Sequence, residues 1–460
     1  MTMQTSEALT PRQPWWHGVT RYQWLVLAIA SAGWVFDVFE GQIFGSCMNE
    51  ALPDLLRGSG LSEWQELFVN IGLAAFLAGG ALGGVVFGMM ADRWGRRRTM
   101  AITILMYSAF TGLTALAQNW WHLAGLRFLV GMGVGGEWAV AAAAVAEVFP
   151  PRARPAASGI FHASSVLGTF LAVAAGVFIV ARNPTNGWRY GFLLGVLPAL
   201  MVFWVRVTMR EPESWQAARQ AAAKDHSLRL GRFMDLFGTA ELRRHTLVGT
   251  ALAIIGLATF WGTHFRGKDL LRQARRQQIE SSIVQADGGK SRSESSTASS
   301  IQEDLKGYEM LGMFLATIGG GVGLLTFAPI SQRLGRRPAF LIFHLGGFLM
   351  VVVVCLLAHS LPLLEVTLPV FGFFTLGMHA GYAIYFPELF PTRLRGTGAG
   401  FCFNTARLVV GPVLLAFGFL QGDPLHLSLP QAMLLLGCLF LVGAGVLVFA
   451  PETRGQPLPE

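Results

Sequence analysis

Charged residues are scarce in this chain. Asp, Glu, Lys and Arg make up 13% of its 460 residues, about half the share of a soluble domain. That scarcity argues against two or three soluble domains, each needing a polar surface. Cysteine is scarce too. Cys47, Cys355, Cys402 and Cys438 fall in or beside apolar runs without metal-ligand spacing, so they read as small packing residues rather than a disulfide framework or metal site. There is no His-rich metal cluster, no nucleophile elbow and no P-loop, so neither catalysis nor ATP hydrolysis is indicated and no cofactor is expected. Met1 to Arg21 is polar and the first apolar run is too long for an h-region, so a cleavable signal peptide is not expected.

What is present is apolar length. Hydrophobic residues make up 53% of the chain, in runs of about 20, enough to cross a hydrocarbon core of about 30 Å. Twelve spans are predicted near 24–47, 66–90, 98–118, 122–147, 157–181, 188–209, 245–265, 308–331, 338–358, 362–386, 397–420 and 429–450. Trp15-Trp16 and Trp120-Trp121 fit headgroup-level aromatic belts. The fold class expected is an all-α membrane protein with twelve transmembrane helices.

The net charge of +8 does not point to nucleic acid, because the basic residues form short clusters between apolar runs. They read as topology signals. Arg93, Arg96, Arg97 and Arg98, then Arg152 and Arg154, then Arg333, Arg336 and Arg337, then Arg393 and Arg395 all fall on even-numbered connections. The central segment adds Arg210, Arg219, Lys224, Arg229, Arg232, Arg243 and Arg244, whereas the short opposite connections hold only Arg57, Arg182 and Arg189. The positive-inside rule then puts both termini in the cytoplasm. Residues 266–306 resist that rule, since they include Arg266, Lys268, Arg272, Arg275 and Arg276, but long loops follow it poorly. They are expected to form an external loop, with a short surface helix at 268–286 and disorder from Gly288 to Ser300.

The chain also repeats itself. Glu147 to Gly159 (EVFPPRARPAASG) matches Glu388 to Gly400 (ELFPTRLRGTGAG), with Glu147, Phe149, Pro150, Arg152, Arg154 and Gly159 recurring at a separation of 241 (388 − 147). Arg93, Gly95, Arg96 and Arg97 of DRWGRRR recur in QRLGRRP as Arg333, Gly335, Arg336 and Arg337, at 240 (333 − 93). Agreement at two places with nearly one separation means two homologous halves, hence two pseudo-symmetric six-helix bundles. The expected organisation is an N-terminal bundle at 1–209, a cytoplasmic linker at 210–244 and a C-terminal bundle at 245–460.

Gly88 to Arg98 (GMMADRWGRRR) resembles the loop signature of the major facilitator superfamily, and REPESW from Arg210 and PETRG from Pro451 resemble its sugar-porter-like markers. The resemblance covers nearly the whole chain. It implies bundles around a central cavity that move by alternating access. The physics of the signature stands beside it. Gly88 lets helices approach closely, Asp92 can accept from a helix N-terminus or pair with an arginine, and Arg93, Gly95 and Arg96, with Arg333, Gly335 and Arg336, complete a latch or a simple headgroup anchor. Gln332 replaces Asp92 in the second copy, so any latch is asymmetric.

Ionisable residues at bilayer depth are costly and mark function by default. Span one carries Asp37 and Glu40, span four Arg127 and Glu137, and span eleven Arg407, with the uncharged Asn404 one turn away as a candidate solute contact. Arg407 and Arg127 offer the fork that matches a carboxylate; Asp37, Glu40 and Glu137 are candidates to take up and release a proton. The plain alternative is internal pairing, for instance of Arg127 with Asp37 or Glu40. Trp138, Trp261, His264, His379, Tyr382 and Tyr385 are candidates to line a cavity, with His162 a weaker one, whereas Glu147 and Glu388 read as structural partners of nearby arginines.

Within the superfamily, the span-one acids, the arginine nine residues before Gly136-Glu137-Trp138 and the Asn404–Arg407 pair resemble proton symporters of organic acids, of the sialate/lactate and aromatic-acid types. Pro155 departs from the family's R-x-R-G pattern, and the sugar-porter glutamine pair is absent from span seven, which argues against a plain hexose carrier. The resemblance implies a multi-pass protein of the plasma membrane, of bacterial inner-membrane type. Expected partners are a small anionic solute, protons and the lipid bilayer; no nucleic acid partner is expected, and the chain is expected to act as a monomer. A sugar or polyol carrier, a drug or metabolite exporter and a non-transporting solute sensor are the alternatives.

Overall fold

Apolar segments in lipid have no water to satisfy their amides, so they close their hydrogen bonds internally as helices. The computed structural model describes residues 14–460 apart from 58, 62–63, 181, 184–185, 226–227, 287–293 and 423–424, and among these there is no strand. The first half comprises α1 (Arg21–Leu55), α2 (Gln65–Trp94), α3 (Arg96–Thr114), α4 (Trp120–Val148), α5 (Arg154–Ala163) with α6 (Ser165–Ala175), and α7 (Gly187–Leu194) with α8 (Ala199–Thr208). A linker helix, α9 (Glu213–Lys224), leads to α10 (Ala240–Gly262), α11 (Gly267–Ala286), α12 (Glu294–Leu334) and α13 (Arg336–Leu356). The chain ends with α14 (Leu361–Gly377) and α15 (His379–Leu389), α16 (Arg395–Thr405) and α17 (Val410–Gln421), and α18 (Leu429–Gly437) with α19 (Leu439–Val446). These build two six-helix bundles.

Among the described residues, eleven stretches are long and apolar enough to cross a membrane. The remaining span is α3, which opens on three arginines and buries Thr99, Thr103, Ser108, Thr111 and Thr114; those hydroxyls lower its hydropathy. Several spans are broken rather than continuous. The tenth breaks at Met378, and the eleventh tightens into a 3-10 turn over Ala406–Val409, the turn that carries Arg407.

The helix expected at 268–286 is present as α11, whereas the disorder expected from Gly288 to Ser300 is corrected in part. Span seven runs on into α11, and span eight begins early as one helix from Glu294, so Glu294 to Ser300 are helical rather than disordered. The remainder of that stretch, 288–293, lies outside the described residues. Charge pairing explains the extension. Lys268 and Arg272 meet Glu309 at 2.7 and 3.0 Å, and Arg275 meets Asp304 at 2.7 Å, which straps the start of α12 to α11.

Packing within each half depends on glycine. A Cβ at Gly79 or Gly83 would strike the backbone of Phe128 or Met132, and one at Gly131 or Gly135 that of Phe76 or Gly80, so α2 and α4 touch backbone to backbone. The stripe recurs in the second half, where Gly319 and Gly323 meet the carbonyls of Pro369 and Phe373, and Gly372 that of Ala316. The separations are 240 (319 − 79) and 241 (372 − 131), a third trace of the duplication.

The signature loops hold matched corners. Gly95 and Gly335 turn the chain at φ of 106° and 111°, a region open mainly to glycine. The Glu211 carboxylate accepts from Arg96 N at 2.7 Å and caps α3, while Glu452 accepts from Arg336 N at 2.8 Å and caps α13. Between the halves the match fails. Asp92 accepts from the amides of Gly396 and Thr397 at 3.0 and 2.8 Å, and from the Thr397 hydroxyl at 2.6 Å. Its counterpart Gln332 donates only to the Arg152 carbonyl, at 3.2 Å. Glu147 accepts from Arg96 of its own half and Arg395 of the other, both at 2.7 Å. Arg93 donates to the Leu230 and Gly231 carbonyls of the linker, and Arg333 is exposed.

Two outcomes follow for this framework. Gly83→Leu should lower the thermal unfolding midpoint by about 10 °C, since overpacking a backbone contact costs several kcal/mol; an unchanged midpoint would refute the contact. Asp92→Asn keeps the shape but weakens charge-assisted bonds to α16. It should shift the population closed at the signature face by at least about tenfold, read as a longer spin-label distance between the ends of α2 and α16.

Candidate functional site

Above the latch the bundles enclose a cavity of about 260 Å³. Its floor is a cross-bundle contact. Trp138 of α4 stacks on Phe403 of α16 at 3.9 Å with 19° between ring planes, and Asn404 Nδ2 donates to the Gly135 carbonyl at 3.1 Å. A Cβ at Gly84 would meet the Asn404 side chain, and one at Gly80 the Arg407 guanidinium. The small residues of α2 therefore admit the α16 side chains that seal the chamber from the signature face.

The wall is strongly aromatic. Trp34, Phe76, Phe260, Trp261, Phe265 and Phe403 line it, with His162, His264 and His379 between them. The histidines are held in place. Trp34 Nε1 donates to the His162 carbonyl at 3.2 Å and Trp138 Nε1 to His162 Nδ1 at 3.4 Å. His264 Nδ1 bonds the Thr375 hydroxyl at 2.7 Å and stacks on Phe260. Between the rings stand Gln42 and the hydroxyls of Ser165, Thr169 and Thr317.

Charge is placed unevenly. Asp37 and Arg407 line the cavity, and Arg407 is 7% exposed with no hydrogen bond or ion pair to any described residue. The Asp37 carboxyl faces that of Glu137 and feels the field of Arg407. No donor reaches any of the four oxygens of Asp37 and Glu137, all of them buried. Glu137 itself lies behind α1, against Gly33.

The other ionic candidates are engaged elsewhere. Glu40 accepts from the Thr111 hydroxyl at 2.8 Å, and its carboxylate lies 3.9 Å from Arg127. The Arg127 guanidinium also donates to the Glu40 carbonyl at 3.1 Å and lies between the rings of Phe44 and Phe76. Neither residue lines the cavity; this is the internal pairing named as the plain alternative. Asn404, Trp138 and Tyr382 stand one layer back, Tyr382 donating to the Leu252 carbonyl at 3.0 Å. Of the residues expected to bind solute or line a cavity, Arg407, Trp261, His264, His379 and the weaker candidate His162 face the chamber, and Arg127, Asn404, Trp138, Tyr382 and Tyr385 do not.

Sequence reasoning missed Trp34, Phe403 and Lys268 as lining residues. Two had a readable signal, since Trp34 is three residues before Asp37 and Phe403 four before Arg407, one helical face in each case. It also missed that Glu147 joins the bundles through Arg395.

Residues 23–270 match the family model of the Major Facilitator Superfamily, and residues 293–460 that of the sugar (and other) transporter family. The chain is 30% identical to a probable 4-methylmuconolactone transporter of Cupriavidus pinatubonensis over 92% of its length and 89% of the relative's. It is 27% identical to the sialic acid transporter NanX of Escherichia coli, covering 88% of this chain and 89% of that one. The proton:xylose symporter XylE superposes with a TM-score of 0.73 at 18% identity, over 95% of this chain and 98% of XylE. The chain therefore belongs to the Major Facilitator Superfamily, whose members are membrane transporters and not enzymes.

Proposed function

We propose that this protein imports a small organic anion with protons by alternating access, and that the anion is a planar, weakly hydroxylated carboxylate. The observation that carries this reading is Arg407, a buried cation on the wall of the central chamber with no ion-pair partner among the described residues. An unpaired guanidinium in low dielectric is costly, and a carboxylate relieves that cost through two parallel hydrogen bonds. The aromatic wall favours a flat, apolar body. Relatives named for methylmuconolactone, sialic acid and cis,cis-muconate agree with an organic acid.

Proton coupling follows from counting charge in the chamber. Glu40 and Arg127 neutralise each other and Lys268 at the mouth is held by Glu309, so the groups left deeper in are Arg407, Asp37 and Glu137. One proton shared by the two facing carboxyls leaves a single negative charge opposite Arg407, and the empty chamber is balanced. An arriving monocarboxylate upsets that balance, and a second proton on the pair restores it. One proton thus travels with each monoanion. Positive-inside topology puts the arginine-rich signature face in the cytoplasm, so the described state, closed there, offers its chamber to the outside.

A neutral sugar is the second reading, favoured by the sugar (and other) transporter match over residues 293–460. Arg407→Gln separates the two. It should weaken benzoate binding at least about thirtyfold, read by quenching of tryptophan fluorescence, whereas binding of xylose would survive. Uptake of benzoate into proteoliposomes should follow an inward proton gradient, stop with a protonophore, and ignore a potassium diffusion potential. Uptake driven by that potential would refute the charge balance. Glu137→Gln should retain benzoate exchange but lose gradient-driven accumulation by about tenfold or more; accumulation like that of the unaltered protein would exclude Glu137 from coupling.

A further inference from the structure

The 23 residues of α10 extend about 35 Å at 1.5 Å per residue, which carries the chain across the hydrocarbon core. Lys268, the second residue of α11, therefore stands at the outer boundary, yet it lines the same chamber as Arg407. Its ammonium meets Glu309 at 2.7 Å, stands 3.9 Å from Asp269, which Arg266 also holds at 3.3 Å, and lies 5.0 Å from the Phe265 ring centroid. Glu309 does not depend on it. Arg272 at 3.0 Å and Lys306 at 3.5 Å hold the same carboxylate, whose side chain is 8% exposed. Three cations thus surround one carboxylate, so Lys268 can leave without orphaning a buried charge. The backbone at Lys268 is pinned, because Gly312 packs directly on its Cα. Only the flexible stem is free to swing.

We propose that Lys268 forms an outer carboxylate site, where its ammonium exchanges Glu309 for the carboxylate of an incoming anion before that anion reaches Arg407. This rests on the anion reading above. The exchange conserves ion pairs: Glu309 keeps Arg272 and Lys306, and the solute carboxylate gains Lys268. Such a site acts on the rate of entry, because a cation at the mouth of a low-dielectric chamber raises the local concentration of anions. The effect is screened once the Debye length falls from about 30 Å to about 3 Å between 0.01 and 1 M salt.

Stopped-flow quenching of tryptophan fluorescence by benzoate, in the full-length protein at low and high salt, tests this. Lys268→Gln should slow association about five- to tenfold at low salt, with dissociation unchanged and the difference gone at high salt, while Lys268→Arg restores the rate. Glu309→Gln frees the ammonium and should speed association. The double variant should be as slow as Lys268→Gln alone. A double variant that returns to the unaltered rate would show a bulk charge effect and overturn the site, as would normal association in Lys268→Gln. If Arg407→Gln abolishes equilibrium binding while Lys268→Gln associates normally, the outer site fails and the anion reading stands. If the unaltered protein shows no quenching by benzoate, both fall.

Discussion

Water is absent from the interior of a bilayer, so every ionic group placed there must be answered by another group of the same chain. That constraint sorts the buried charges of this protein. Arg96, Glu147 and Arg395 answer one another, Arg336 answers Glu388 with Thr453 beside it, and Arg127 answers Glu40 with Thr111. Among the described residues, Arg407 and Asp37 on the chamber wall, with Glu137 behind Asp37, have no such partner outside their own group. Structural ion pairs and the proposed transport site thus differ in whether the fold completes them.

The duplication explains how one chain can favour closure at one end. Both halves carry the same corner, with a glycine at positive φ, a glutamate capping the next helix and an arginine paired to the glutamate that ends the fourth span of each half. They differ at few positions. Asp92 reaches across to α16 where Gln332 makes one bond to a carbonyl, and Glu147 takes Arg395 from the opposite half where Glu388 takes Thr453 from its own. Arg154, the counterpart of Arg395, instead turns to the carbonyls of Ala146 and Phe149. Symmetric scaffolding thus carries asymmetric contacts between the halves, the kind of difference that the proposed alternating access would use.

Much of this was legible before any coordinates, and the limits were physical. Span number, the repeat and the signature loops rest on hydropathy and residue identity, which lipid solvation makes plain. Asp37 and Arg407 stood out because charge at that depth is rare. Rotation about the helix axis was not legible. A lipid-facing helix carries no polar stripe to give its phase, so Trp138, Tyr382 and Asn404 were placed on the wall and lie behind it. The helix at 268–286 was legible and that of Glu294 to Ser300 was not, because a Ser-rich composition reads as disorder while pairs such as Arg275–Asp304, 29 residues apart, hold α12 to α11.

The proposed coupling and the lock share one structural element. Glu137 and Glu147 both belong to α4, ten residues or about 15 Å apart along the axis. Between them, α4 meets α16 at the Trp138–Phe403 stack, just below the Gly135–Asn404 bond. The helix that would carry the proton-bearing carboxyl is therefore the helix whose end grips the opposite bundle through Arg395. Loading the chamber changes the charge around Glu137, while release of Asp92 and Glu147 changes the seat of α16, the helix that leads into Arg407. No long relay is needed. The proposed coupling would need this one pair of helices to have a second docked position, biased from both ends, the physical form that coupling between distant sites has to take.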